Sequence, residues 1–336
     1  MEDPQDSERW NRMRRLTVRI LASAANFDPR GLPLAVARAV LAIAELITIT
    51  FTPDHDLFTY QPGLSDGMRC YGAHDLSLWC IAGPSPAGLL GSRLAAIAVL
   101  VLVIAGYRPQ WTCVPHWFVT WSLTVSMTMP SGAEEAAFAG TMLLMPFLLG
   151  DRRPWHWTRP REPLAPVWSG SSYAAWWAIR CQIAIIYLTA SISKLYTAQW
   201  RGGHAMYTVL VDPFYGLPPA IRHAVGPLLS SEFAIRLLTW SVLAIELAIA
   251  AGALSPRRIR KKAFYLAVLL HVGIMAAMGL VSFGLVMIGL VLTLLVGDHN
   301  ALASATTPEV KAAIEPAPGD SRPRAIDIST EAMEIR

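Results

Sequence analysis

The stretch RCQIAIIYLTASISKLYTAQWRGGHAMY, residues 180–207, decides how this chain reads. It opens as an apolar helix of membrane-spanning character, carries Lys194 at the end of the apolar run, and leaves through Trp200, Gly203, His204 and Tyr207. A charged side chain costs about 2.5–3.5 kcal/mol at the centre of a bilayer and less toward the interface. Lys194 is therefore either a snorkelling residue that marks the helix end or an amine held in place for a purpose. Arg180, Tyr187, Ser191 and Lys194 stand at offsets 0, 7, 11 and 14, which at ~3.6 residues per turn puts them on one face of the helix. Such a stripe must look at protein or water rather than lipid.

The rest of the chain supports a membrane setting. Of its 336 residues 54% are hydrophobic and only 15% are charged, against about 25% charged in soluble domains. Apolar runs approaching or exceeding the ~18–20 residues of a spanning helix fall at 34–51, 88–106, 111–129, 133–149, 173–195, 234–254, 263–279 and 281–297. The expected fold is all-α, a multi-pass bundle of about eight transmembrane helices over 34–297 in a cell membrane, the inner or plasma membrane. The first apolar run reads as a retained helix rather than a cleaved signal peptide. The net charge of +4 sits in loops, where it sets orientation, and does not point to nucleic acid.

Residues 1–33 form a basic segment, in which Arg12 to Ala25 has the pattern of a short interfacial amphipathic helix. Residues 298–336 are polar, lack periodicity and read as a disordered tail. Lysines and arginines concentrate at 1–33, 107–110, 151–161 and 257–262 and are sparse at 52–87, 130–135, 196–233 and 280–282. That alternation puts both termini in the cytoplasm and Lys194 at the outer end of the fifth span. Cys70 and Cys80 then lie outside the cytoplasm, where disulfides persist. A bridge closing a loop of about ten residues contributes roughly 2–3 kcal/mol; two separate thiols are the competing reading. Cys113 and Cys181 read as packing residues.

Glu246 and His271 lie deep in the sixth and seventh expected spans. A buried acid, a buried imidazole and a lysine can make a proton-handling site, with Lys194, Glu246 and His271 as its chemical groups; they can equally make a structural polar network between helices. Arg38 and Glu45, seven residues apart, share a face of the first span that should look into the bundle. Ser191-Ile-Ser-Lys194 matches the Ser-x-x-Lys nucleophile pattern without its partner motifs. Asp54-His55-Asp56 and His74-Asp75 lack metal-site spacing, and no metal is expected.

At this point the run Gln182, Tyr187, Lys194, Trp200, Gly203, Ala205 and Tyr207 resembles the Q…Y…K-x5-W-x2-G-x-A-x-Y pattern of the HTTM superfamily, the membrane domain shared with vitamin K-dependent gamma-carboxylase. The opening NFDPRGLPLAVARAVLAIAEL (26–46), Glu246, and His271 followed by the glycine-rich last span resemble other parts of that domain, over roughly 26–297. Within it, RCYGAHDLSLWC (69–80) resembles the sporulation-delaying protein B branch. The resemblance implies a role in maturing a secreted peptide precursor together with a small partner protein. It also implies Lys194 as a base toward a reduced quinone. Tyr187, Ser191, Trp200, Gly203, His204 and Tyr207, on the same helix face or in the segment that follows, read as the surroundings of substrate or cofactor. The sequence departs from the carboxylase in having no large extracytoplasmic domain after the helices, so a partner is expected to supply the substrate surface. An independent quinol-dependent oxidoreductase or carboxylase-like enzyme, and a non-catalytic toxin-binding or immunity-type protein, are the alternatives.

Overall fold

Residues 4–58, 70–127 and 132–297 are described in the computed structural model. The helices are α1 (Pro4–Ala25), α2 (Leu32–Phe51), α3 (Pro86–Ala105), α4 (Pro109–Ser126), α5 (Gly132–Leu149), α6 (Pro166–Leu195), α7 (Glu232–Leu254), α8 (Arg257–Met278) and α9 (Val281–Leu292), with shorter turns between them. Among the described residues there is no strand, only an isolated bridge between Tyr107 and Trp155. The expected tail at 298–336 lies outside the described residues, as do 59–69 and 128–131.

Local chemistry explains the helix boundaries. Proline in the first turn starts α2, α3, α4 and α6, where its missing N–H is not needed and its fixed φ suits a helix. Ser85 and Ser231 cap α3 and α7 by accepting from the amides of Gly88 and Ala234. Gly106 ends α3 at φ 80°, and a Cβ there would sit 2.7 Å from the Trp157 indole nitrogen. That close approach lets the 151–158 loop dock: Trp157 Nε1 donates to Ala105 O at 2.8 Å and the His156 amide to Gly106 O at 2.7 Å.

Among the described residues six helices are long and apolar enough to cross a membrane: α2, α3, α5, α6, α7 and α8. The expected spans at 111–129 and 281–297 also meet helices, α4 and α9 followed by a 3-10 turn at Thr293–Leu295. α4 falls outside those six because Thr112, His116, Thr120 and Ser122 dilute its apolar character; α9 is shorter, with 12 residues. The fifth span begins earlier than the expected 173: α6 runs 30 residues from Pro166. Its proline sits in the first turn, which starts a helix instead of prolonging the loop, so Trp168 belongs to the helix. The amphipathic segment expected over 12–25 is the second half of α1, a longer helix that belongs for most of its length to a separate unit.

Within residues 24–298, α2 lies between two apolar clusters. Leu34 and Leu41 pack with Phe147, Ile179, Ile183, Ile249 and Val286 from α5, α6, α7 and α9. Ala42 and Ile49 pack with Leu100, Val119 and Leu123 from α3 and α4, and with Leu57, Phe58 and Trp79 from the connecting segment. Buried on two sides, α2 must turn Arg38 and Glu45 into protein, as their shared face predicts.

The disulfide is present: Cys70 and Cys80 are joined, with Cα atoms 5.6 Å apart. The segment it closes is seated on the bundle. Trp79 is 1% exposed, the Leu78 amide donates to Ser122 Oγ at 3.0 Å, and Ser92 Oγ donates to Leu78 O at 3.1 Å. Of the other cysteines, Cys113 is buried as expected; Cys181 is exposed on the outer face of α6, so it is not a packing residue.

Arginines close several helix C-termini contributed by neighbouring elements, Arg93, Arg180 and Arg260 among them. Arg93 of α3 donates to Ile49 O and, at 3.0 Å, to Thr52 O at the end of α2, and pairs with Asp54. Arg180 of α6 donates to Ala253 O at 2.8 Å and Ser255 O at 3.0 Å at the end of α7. Arg260 of α8 donates to Leu294 O at 2.7 Å after α9. The last carbonyls of a helix have no partner within it and carry its negative end, so a guanidinium is well matched to them.

Candidate functional site

Lys194 leaves the last turn of α6 and meets α7. Its Nζ lies 2.7 Å from Glu246 Oε1, and Ser191 Oγ donates to Glu246 Oε2 at 3.1 Å. Both carboxylate oxygens are thereby occupied, one by an ammonium and one by a hydroxyl. One turn deeper on α6, the Tyr187 hydroxyl and His271 Nε2 of α8 are 2.7 Å apart. Spacings of four residues from Tyr187 to Ser191 and three to Lys194 place the three on one face, and the two polar contacts sit about 6 Å apart along the axis.

The site is dry at its base and open at its rim. Tyr187, Ser191, Glu246 and His271 are buried, and the Lys194 side chain is 25% exposed. The Trp200 ring covers the amine, with 5.4 Å from Nζ to the ring centroid, a cation–π distance. His271 is packed by Tyr187 and by Phe283 of α9, at 5.9 and 5.6 Å between centroids, and its Nδ1 has no hydrogen-bond partner among the described residues.

Gly203 works through the backbone. It adopts φ 78°, and a Cβ there would lie 2.9 Å from Arg236 Cγ and 3.3 Å from Trp240 Nε1 of α7. A glycine alone satisfies both the left-handed turn and the contact, and it fixes where Trp200 stands. His204 and Tyr207 follow that turn but are exposed, and among the described residues neither bonds to Lys194 or Glu246. Arg180 shares the face of α6 but not the site: about 21 Å along the helix from Lys194, it is used at the end of α7, stacked against Trp176 and Trp177.

A second polar cluster joins Arg38 and Glu45 to residues of α4 that the sequence reading did not single out. Arg38 and Glu45 do not pair with each other; each reaches α4. Arg38 Nη2 donates to Thr112 Oγ1 at 2.7 Å, and Thr120 Oγ1 donates to Glu45 Oε1 at 2.8 Å. His116 Nε2 lies 3.7 Å from the same Glu45 oxygen. The signal was present, since Thr112, His116 and Thr120 recur every four residues on one face of α4, inside a helix whose tryptophans dominate its reading. Among the described residues no group of three or more His, Cys, Asp or Glu side chains is arranged to hold an ion.

No family model matches this chain, and no solved structure matches it. Two proteins of Bacillus subtilis do match at length. The uncharacterized protein YitO is 31% identical over 258 residues, 76% of this chain and 82% of that protein. The sporulation-delaying protein SdpB is 30% identical over 263 residues, 78% of this chain and 80% of SdpB. With its spanning helices and that extent of likeness, the chain is a multi-pass membrane protein and belongs to the SdpB-like family.

Proposed function

We propose that the protein acts in a peptide-toxin system of the sporulation-delaying kind, maturing an exported peptide precursor with partner proteins at the outer rim of the membrane. The observation that carries this reading is the Lys194–Glu246 pair, buried on the carboxylate side and open on the amine side. A purely structural ion pair gains little from being half open to the exterior, where solvent screens it; a working amine needs that access. Tyr187 and His271 below it and Trp200 above complete a one-sided site. The orientation that puts this site outside, and the wider HTTM relationship, rest on the charge pattern of the loops and the motif around Lys194.

Chemically, the 2.7 Å contact lets a proton pass from the Lys194 ammonium to Glu246, leaving a neutral amine and a carboxylic acid held by Ser191. The amine is then free to accept a proton from a bound group on the open side. A reduced quinone entering from the lipid is the acid the resemblance suggests.

The test is mass spectrometry of the exported peptide in cells carrying the precursor and the partner, with and without this protein and with Lys194→Ala. Expected is loss of the mature mass in the deletion and in the variant. Full maturation with Lys194→Ala overturns the site; an unchanged peptide in the deletion strain overturns the function.

A further inference from the structure

The α2–α4 cluster borders space that the Lys194 site does not use. Glu45 is 4% exposed; one oxygen takes the Thr120 hydroxyl, and the other has no hydrogen-bond partner among the described residues. His116, 2% exposed, has an unpartnered Nε2 beside it. A buried carboxylate oxygen without a donor is costly, which marks a place where a donor is to arrive.

One small void is lined by Glu45, and a larger cavity adjoins it through shared lining residues. A void of about 10 Å³, with room for one water, is lined by Glu45, Thr48, Thr120, Thr124, Glu134 and Ser282 among others. A larger cavity of about 370 Å³ lies between the end of α2, the start of α5 and the turn from α8 to α9. Its volume falls in the ~300–1,000 Å³ range of small-molecule sites. Thr48, Glu134 and Ser282 line both, and Thr48 Oγ1 donates to Ser282 Oγ at 3.0 Å in the wall they share. Phe51, Leu280, Val281 and Phe283 make the larger cavity's walls apolar, and among the described residues no lysine, arginine or histidine lines either space.

We propose that this vestibule binds an organic ammonium ion, its carbon chain against Phe51 and Phe283 and its head directed past Thr48 and Ser282 to Glu45. An anion would face two carboxylates and no cation. A ligand without an N–H or O–H donor would leave the open Glu45 oxygen unpartnered. For a bare metal ion, no group of three or more His, Cys, Asp or Glu side chains among the described residues could hold one. An ammonium has three N–H donors, matching the open Glu45 oxygen and the two hydroxyls. The same head group occurs on a peptide lysine or amino terminus and on an ethanolamine lipid. Phe283 packs on His271 at 5.6 Å between centroids, so an occupant stands one side chain from the Tyr187–His271 contact.

The test uses the full-length protein in phosphatidylglycerol nanodiscs, with thermal unfolding read against hexylammonium chloride, hexanol and sodium chloride at matched ionic strength. Expected is a saturable stabilisation by hexylammonium alone, its apparent affinity falling tenfold or more in Glu45→Gln and severalfold in Glu134→Gln, whose half-exposed side chain keeps that variant foldable. An equal shift with hexanol or sodium, or unchanged affinity in both variants, overturns the site. Adding phosphatidylethanolamine separates the sources: competition with hexylammonium assigns the site to lipid. Competition instead by acetyl-Leu-Lys-Leu-amide, and not by its norleucine analogue, assigns it to a peptide amine.

Discussion

Lys194 and Glu246 meet at 2.7 Å between α6 and α7, and they are unequally buried: the lysine side chain is 25% exposed, the glutamate 9%. Removing either partner therefore has unequal effects. Lys194→Met leaves a carboxylate inside the bundle with only Ser191 as donor, whereas Glu246→Leu leaves an amine that can turn to water. Breaking a fully buried pair costs about 3–5 kcal/mol, and partial exposure of Lys194 brings the loss below that. Lys194→Met is expected to lower thermal stability more than Glu246→Leu. The double variant is expected to recover most of the loss while remaining unable to mature the peptide. Unfolding of the three purified variants, beside the exported-peptide assay, checks both halves. Recovery of maturation along with stability would reduce the pair to scaffolding.

Tyr187→Phe removes one hydroxyl and keeps the ring. A hydrogen bond between membrane helices is worth about 0.6 kcal/mol, so stability should barely move. If the His271 contact orients the imidazole for chemistry, maturation should fall tenfold or more at unchanged protein level. His271→Gln should then be as defective as Tyr187→Phe/His271→Gln, because residues that act as a unit are not additive. Independent, multiplying losses would show that the two act separately.

Much of this was legible in the chain because charge inside a membrane is expensive and therefore meaningful. The polar stripe on α6 and the burial of Glu246 and His271 follow from residue type and spacing, and the Cys70–Cys80 bridge was the one of two readings that the loop charges favoured. What spacing does not supply is the partner. Arg180 and Lys194 lie on one face of α6, yet Arg180 serves carbonyls at the end of α7 while Lys194 meets a carboxylate farther up the same helix. Arg38 and Glu45 share a face of α2, yet each bonds to a different threonine of α4. His204 and Tyr207 follow Trp200 in sequence, but the left-handed turn at Gly203 leaves them exposed. Helix pairing and the reach of long side chains decide these cases, and neither is written in a periodicity.

The disulfide closes a loop of 10 residues around a segment whose tryptophan is buried. Loop-closure entropy gives it about 2–3 kcal/mol. Replacing both cysteines by serine is expected to lower the unfolding midpoint by that amount of free energy, and reductant should do the same to the wild type only. In whole cells, a membrane-impermeant maleimide should label the single variant Cys70→Ser at Cys80. Absence of labelling while a cytoplasmic-loop cysteine reacts would invert the orientation assumed for Lys194.

His156 offers a test of the 151–158 loop that is independent of the membrane core. It is 2% exposed, and burial, then Arg38 and Arg153, hold its pKa well below the ordinary value near 6.5. The native state thus keeps the imidazole neutral where the unfolded chain protonates it. Stability from this group is complete above about pH 6.5 and declines as the pH falls below that, by at most ~1.4 kcal/mol per pH unit. Thermal unfolding of wild type and His156→Asn between pH 7.5 and 5 should show a shallower acid slope in the variant and parallel curves above pH 7. Equal slopes would mean that the acid sensitivity comes from other groups and that the loop opens before His156 titrates.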